Sequence, residues 1–285
     1  MNIVYGTANF KKNYGLNKIN LSIFQINEIL KILKNNGIKS LDTAQTYLDY
    51  KKKKINFNNF KIYSKLKKIP SKIKKYNELK EYVYQELEKD LIFYNIKNLY
   101  GYYIHDTKDL QKHGKKLNLI FQEIKKKKLI KKIGISFYNL EKEIKYLKIF
   151  KADLVQVPFN FLLFKQNYIA KLQKVKKNNI KIFARSIYLQ GFLLYSWFRI
   201  PKKLDIIRSS MKIVENHGYN SKTKKILLTI NAIKQSNIFD GMIISCKSKR
   251  ELRQFLDLYN KKKYFDLSFL DHLRIKFTDI DPRRW

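Results

Sequence analysis

Residues 37–47 read Gly37-Ile38-Lys39-Ser40-Leu41-Asp42-Thr43-Ala44-Gln45-Thr46-Tyr47. The apolar Ile38 and Leu41 mark a short buried strand over 38–42 that ends in a carboxylate, and a phenol follows on the loop beyond it. The carboxyl end of a parallel strand is where barrels and doubly wound sheets carry their chemistry. Asp42 and Tyr47 are therefore expected to face a site. Taken alone, the same residues read more simply as an Asp capping a turn with a Tyr packed over it.

Working outward, the chain alternates. Residues 2–8 read as a first strand ending at Gly6-Thr7-Ala8. Ser22 and Gln25 have the spacing of a capping box, Ile26, Ile29, Leu30 and Leu33 follow at helical spacing, and Gly37 closes that helix. After Tyr47, residues 48–60 hold four consecutive lysines and are too few for a full helix with two loops, so a stunted second helix is expected. A strand over Phe60–Leu66 places Lys65 near its carboxyl end. Leu79, Val83, Leu87 and Leu91 form a helix stripe, and a strand over Leu99–Ile104 ends at His105-Asp106. Leu117, Ile120, Phe121 and Ile124 form the next helix, before a strand ending at Ser136. Leu140, Ile144 and Leu147 predict a helix, Asp153–Val157 a strand containing Gln156, and Ile169, Leu172 and Val175 another helix. A strand over Ile180–Ser186 ends in Arg185 and Ser186. Helical patterns over 203–216 and 222–236, a strand over Phe239–Ser245 and a helix over 248–259 complete the series.

Continuous apolar strands alternating with amphipathic helices argue for a parallel sheet covered by helices. Eight such units favour closure into a (β/α)8 TIM barrel, with a shortened second helix and one additional helix before the last strand. Four Pro and nine Gly offer no linker, so residues 1–285 are read as a single domain, with Phe265–Trp285 packing over the barrel.

The formal net charge of +38 raises nucleic acid or an anionic membrane as partners. The excess is nearly all Lys and travels with Asn, Ile, Tyr and Phe, residues with A/T-rich codons. Runs such as Lys51–Lys54 and Lys125–Lys128 lack interleaved aromatics for stacking on bases. They are read as solvated faces, and nucleic acid is not the expected partner. One Cys excludes an internal disulfide, and neither a signal-like start nor a run of 18 apolar residues occurs. A soluble cytoplasmic protein without a membrane partner is expected. The His, Cys and carboxylates have no metal-ligand spacing, so no metal is expected; His113, His217 and His272 read as surface or packing residues.

A closed barrel would gather Asp42 with Tyr47, Lys65, His105, Ser136, Gln156, Arg185 and Ser186 into one mouth. Asp, Tyr, Lys and His form an acid–base set. An ammonium near Tyr47 is expected to favour its phenolate, Asp42 to hold that ammonium, and His105 to orient a carbonyl oxygen. Such a set suits protonation of a carbonyl oxygen as its carbon gains hydride, and the hydride must come from a cofactor.

These pieces, with Tyr5–Phe10, Leu41–Tyr47, Tyr63–Leu66, Ile104–Asp106, Ile133–Ser136, Val155–Asn160 and Ala184–Gly191 in order, one per strand, resemble the aldo-keto reductases. The resemblance runs to about Leu258. It implies an eight-stranded barrel, an extended nicotinamide cofactor across the mouth, and a catalytic tetrad of Asp42, Tyr47, Lys65 and His105. It further implies that Ser136 and Gln156 hold the nicotinamide carboxamide and that the Leu189-Gln190-Gly191 turn lies beside the pyrophosphate. The segment Ser245–Glu251 matches the adenosine phosphate site, where Lys247, Ser248 and Arg250 are placed to hold a 2′-phosphate. Glu251 would instead suit a free 2′-hydroxyl, so NADPH is expected, with NADH as the alternative.

The departures from the resemblance are Leu48 and a lysine-rich remnant after Tyr47, Phe255 in place of a usual Asn, and Arg185 where many members stack a Tyr. A guanidinium plane also stacks, and its charge would disfavour an oxidised ring. The expected function is NAD(P)H-dependent reduction of an aldehyde or ketone, a small-molecule carbonyl, to an alcohol. The alternative is a degraded barrel that binds the cofactor as a regulatory protein.

Overall fold

The computed structural model describes residues 1–11, 20–47, 55–261, 263–281 and 284. Eight parallel strands close into one barrel in sequence order: β1 (Asn2–Gly6), β2 (Ser40–Asp42), β3 (Lys61–Leu66), β4 (Leu99–Ile104), β5 (Ile130–Ser136), β6 (Leu154–Pro158), β7 (Lys181–Arg185) and β8 (Gly241–Ile244). β8 pairs back onto β1 through Val4↔Ile243 and Tyr5↔Ile244. Parallel neighbours require crossover connections, and from β3 onward each described connection carries at least one helix of the outer layer.

The outer helices are α1 (Ile23–Asn35), α2 (Tyr76–Tyr94), α3 (Thr107–Lys126), α4 (Leu140–Glu143), α5 (Gln166–Lys176), α6 (Asp205–Asn216), α7 (Lys222–Gln235) and α8 (Lys249–Tyr259). The capping box of α1 forms: Ser22 accepts from the Gln25 amide, and the Gln25 side chain accepts from the Ser22 N–H. Between β7 and β8 stand both α6 and α7, so the additional helix is present. The stunted second helix was expected over residues of which 48–54 lie outside those described; before them the chain makes a 3-10 turn over Gln45–Tyr47.

Two expectations need correction. The helix over Leu140–Leu147 is only one α turn, α4, which continues as a 3-10 turn over Ile144–Lys148. Glu143 turns its carboxylate back to accept from the Tyr138 and Asn139 N–H groups, at 2.7 and 3.1 Å, and so serves the start of this element rather than its extension. On α2, Leu91 sits at the edge of the buried stripe, and Glu86 and Asp90 lie within it beside Leu87 and Tyr94. The C-terminal segment packs on the outer layer. Lys165 donates to the carbonyl of Leu273, the Phe277 ring meets Tyr168, and Phe269 stacks on His217.

Strand periodicity sets the barrel interior. Val4, Tyr63, Tyr103, Leu154 and Phe183 form a plug separate from the main core between barrel and helices. Close approach of these rings needs strand positions without a Cβ. One added at Gly134 would lie 2.2 Å from the Tyr103 ring, and one at Gly241 2.7 Å from Phe183. Side chains two apart on a strand share a face. The next inward residues beyond Tyr63, Gly134, Leu154 and Phe183 are therefore Lys65, Ser136, Gln156 and Arg185. The aromatic plug thus supports a polar layer at the strand carboxyl ends.

Candidate active site

That polar layer is tightly bonded. Lys65 Nζ lies 2.6 Å from Asp42 Oδ2 and donates to the Thr43 carbonyl at 3.0 Å. Gln156 Nε2 donates to Asp42 Oδ1 at 2.5 Å. β2 and β6 lie on opposite sides of the barrel wall, so this bond spans the interior and fixes Asp42 as inward-facing. Asp42, Lys65, Ser136 and Gln156 are all buried. Ser136 and Gln156 are register partners across β5 and β6, and Gln156 Oε1 is buried without a partner.

Above them lie the half-buried Tyr47 and His105. Lys65 Nζ stands 5.1 Å from the Tyr47 ring centre, and His105 meets that ring edge-on with centroids 6.5 Å apart. Burial and the Asp42 carboxylate push the Tyr47 hydroxyl well above its ordinary range, with Arg185 pulling the other way. Lys65 is already matched by Asp42 at contact distance, so the phenol feels the carboxylate as well as the cation.

Arg185 leaves β7 toward the same mouth. Its guanidinium donates to the Phe137 carbonyl at 2.7 Å and to Ser186 Oγ at 3.1 Å, and it lies 4.4 Å from the Tyr138 ring centre. The Tyr138 hydroxyl is 3.5 Å from His105 Nε2. Tyr138 thus joins the site although sequence reasoning passed over it. Its only signal was its place two residues beyond Ser136. The Thr43 carbonyl was missed for another reason: backbone acceptors leave no mark in residue type.

The positions expected for the cofactor's phosphates gather at the ends of β7 and β8. Leu189, Gln190 and Gly191 all have positive φ, and Gly191, at +101°, occupies a region L side chains rarely adopt. A Cβ there would stand 3.9 Å from Lys247 Nζ, so the turn and this ammonium face one another. The Leu189 side chain is buried and contributes packing. Ser245 Oγ donates to the Gly6 carbonyl at 2.8 Å, and Ser248 caps α8 by accepting from the Glu251 N–H. Arg250 is exposed. Burial would raise the Glu251 carboxyl, but Lys222 Nζ at 2.8 Å and the Lys247 N–H at 2.9 Å hold it below its ordinary value. Both Glu251 oxygens therefore have partners within the chain.

The sequence model of the Aldo/keto reductase family matches residues 2–260. The chain belongs to this family. The family and its (β/α)8 barrel imply oxidoreduction of carbonyl compounds. Among solved structures, the holo form of aldo-keto reductase AKR11C1 from Bacillus halodurans is similar at 12% identity, with 98% of this chain and 91% of that one covered and a TM-score of 0.67. The thermostable aldo-keto reductase Tm1743, in complex with the inhibitor epalrestat, is similar at 18% identity, with 95% and 94% covered and a TM-score of 0.64. Gox0644 in its apo form is similar at 16% identity, with 96% and 89% covered and a TM-score of 0.61. These likenesses establish the fold. No curated protein matches the chain by sequence. No helix among the described residues is long and apolar enough to cross a membrane.

The residues present fit a nicotinamide cofactor. Gln156 Oε1 is an orphaned acceptor in the buried layer, as a carboxamide would need, and the positive-φ turn facing the Lys247 ammonium suits an anionic group. The degraded-barrel alternative rested on Leu48 and the lysine-rich remnant, which lie outside the described residues.

Proposed function

We propose that this aldo/keto reductase reduces an aldehyde or ketone to an alcohol at the expense of NADPH. The observation that carries this reading is the meeting of Asp42, Lys65, Tyr47 and His105, from four separate segments, at one end of the barrel. Ser136 and Gln156 would hold the nicotinamide carboxamide, and Arg185 would cover the ring. The Leu189–Gly191 turn and Ser186 would lie along the pyrophosphate, while Ser245, Lys247, Ser248 and Arg250 would hold the adenosine phosphates. The bound cofactor supplies the hydride.

The chain's residues do the rest. Tyr47, like any tyrosine, is a phenol at neutral pH, and burial and Asp42 hold its proton on more firmly still, so it is in the donor form when a carbonyl arrives. As the carbonyl oxygen gains electron density, the proton passes from Tyr47 Oη to that oxygen. The phenolate left behind is then stabilised by the Lys65 and Arg185 cations. Asp42 holds Lys65 in place, and His105 orients the oxygen. Glu251, its oxygens engaged, is a poor partner for a free ribose 2′-hydroxyl, while Lys247 and Arg250 suit a 2′-phosphate. This favours NADPH over NADH.

The test is a fluorescence titration with NADPH and NADH followed by turnover across a panel of aldehydes and ketones. Tighter NADPH binding and aldehyde-dependent loss of NADPH are expected. Tight cofactor binding without turnover of any carbonyl would favour the degraded-barrel alternative.

A further inference from the structure

Behind the mouth, outside the barrel wall, lies a second polar group that the reaction does not use. Ser64 precedes Lys65 on β3 and, by strand alternation, faces outward against α2. Its hydroxyl donates to Asp90 Oδ2 at 2.7 Å, and Asp90 is fully buried. Gln45, at the start of the 3-10 turn that ends in Tyr47, donates from Nε2 to the Glu86 carbonyl at 2.8 Å, and its side chain also faces the Asp90 carboxyl. Thr43, whose carbonyl accepts from Lys65, is tied by its own hydroxyl to Tyr94 at 3.1 Å and Thr7 at 2.8 Å. One helix face therefore grips the strand of the ammonium through Ser64, and the turn of the phenol through Gln45.

A carboxylate at the centre of a helix's core stripe calls for an explanation. Burying it costs free energy that a Leu would not incur, and Asp90 Oδ1 is left with no hydrogen-bond partner. Packing alone does not select such a residue. We propose that Asp90 is a positioning residue for the active site, which through Ser64 and Gln45 sets the placement of Lys65 relative to the Tyr47 turn.

The test compares Asp90→Ala with Asp90→Asn, which keeps an oxygen to accept from Ser64. In the alanine variant, NADPH affinity and carbonyl KM are expected to stay within about twofold of the parent. Its kcat is expected to fall about tenfold or more, since small displacements of reacting groups act on turnover. Amide hydrogen exchange over Thr43–Tyr47 is expected to quicken, and the asparagine variant to restore both kcat and exchange. Ser64→Ala should lower kcat without adding to the effect of Asp90→Ala, as one shared contact requires. An Asp90→Ala enzyme with parental kcat and exchange would overturn the proposal, as would an asparagine variant as impaired as the alanine one. Should Asp90→Ala fail to fold, Ser64→Ala reads the same tie from its other end. The kcat arm rests on the reductase reading, whereas the exchange arm does not. A parent protein that reduces no carbonyl would sink that reading and leave exchange to decide the role of Asp90.

Discussion

Lys65 Nζ and Asp42 Oδ2 stand 2.6 Å apart, and both side chains are sealed from solvent at the floor of the mouth. Removing one partner strands the other as an uncompensated buried charge. Asp42→Ala also deprives Gln156 Nε2 of its acceptor. It is expected to destabilise the protein by about 3–5 kcal/mol, read as a lower urea midpoint. Asp42→Ala combined with Lys65→Met should recover much of that loss, because no orphaned charge remains.

The barrel was readable because its signals are redundant. Eight apolar strands and eight amphipathic helix patterns agree on one answer, and the stunted unit could be inferred from its neighbours. The inward positions of Lys65, Ser136 and Gln156 followed from their places at strand ends. What escaped was set by tertiary context. Asp90 lies on a stripe that periodicity assigned to Leu91, and a rotation of under half a turn separates them. Tyr138 has no distinguishing type, and its role depends on Arg185 reaching across from β7.

The plug beneath the mouth should tolerate no added bulk at Gly134. A Cβ there meets the Tyr103 ring at 2.2 Å with the barrel wall behind it. Gly134→Ala is expected to cost about 1–3 kcal/mol or more, measured by thermal unfolding. Gly37→Ala is a useful contrast. No atom lies within 4 Å of its Cβ position, and only its positive φ of 70° is unfavourable.

Asp90 also predicts a stability profile. Burial, opposed by the Ser64 hydrogen bond, the nearby Gln45 amide and the Lys65 charge and aided by Glu86, lifts its carboxyl from 3.8 to about 7. Tyr94 and Tyr102 face it from α2 and β4. The folded protein keeps a proton that the unfolded chain releases, so this group's contribution falls as pH rises from 3.8 toward about 7, then levels. Asp90→Asn lacks the titration. It should be more stable than the parent at a pH of about 8, by a margin on the order of a few kcal/mol that closes as pH falls through this window. Denaturant midpoints at several pH values measure this, and a pH-independent difference would count against it.

Arg185 should shape the redox preference of the bound cofactor. In the proposed reading its positive charge would lie beside the nicotinamide and disfavour an oxidised, cationic ring. Arg185→Met is expected to tighten NADP+ relative to NADPH by about fivefold, equivalent to roughly 1 kcal/mol of removed repulsion. Fluorescence titration with both forms reads this ratio without any turnover.

The most direct test of the reductase reading is the rate at which NADPH is consumed on mixing with excess aldehyde, in the parent and in Tyr47→Phe. The parent should oxidise NADPH and yield alcohol in equal amounts. The phenylalanine variant should bind NADPH as tightly but lose about two or more orders of magnitude in rate, as loss of a general acid requires. Equal rates in the two proteins would contradict the assignment of Tyr47 as the proton donor.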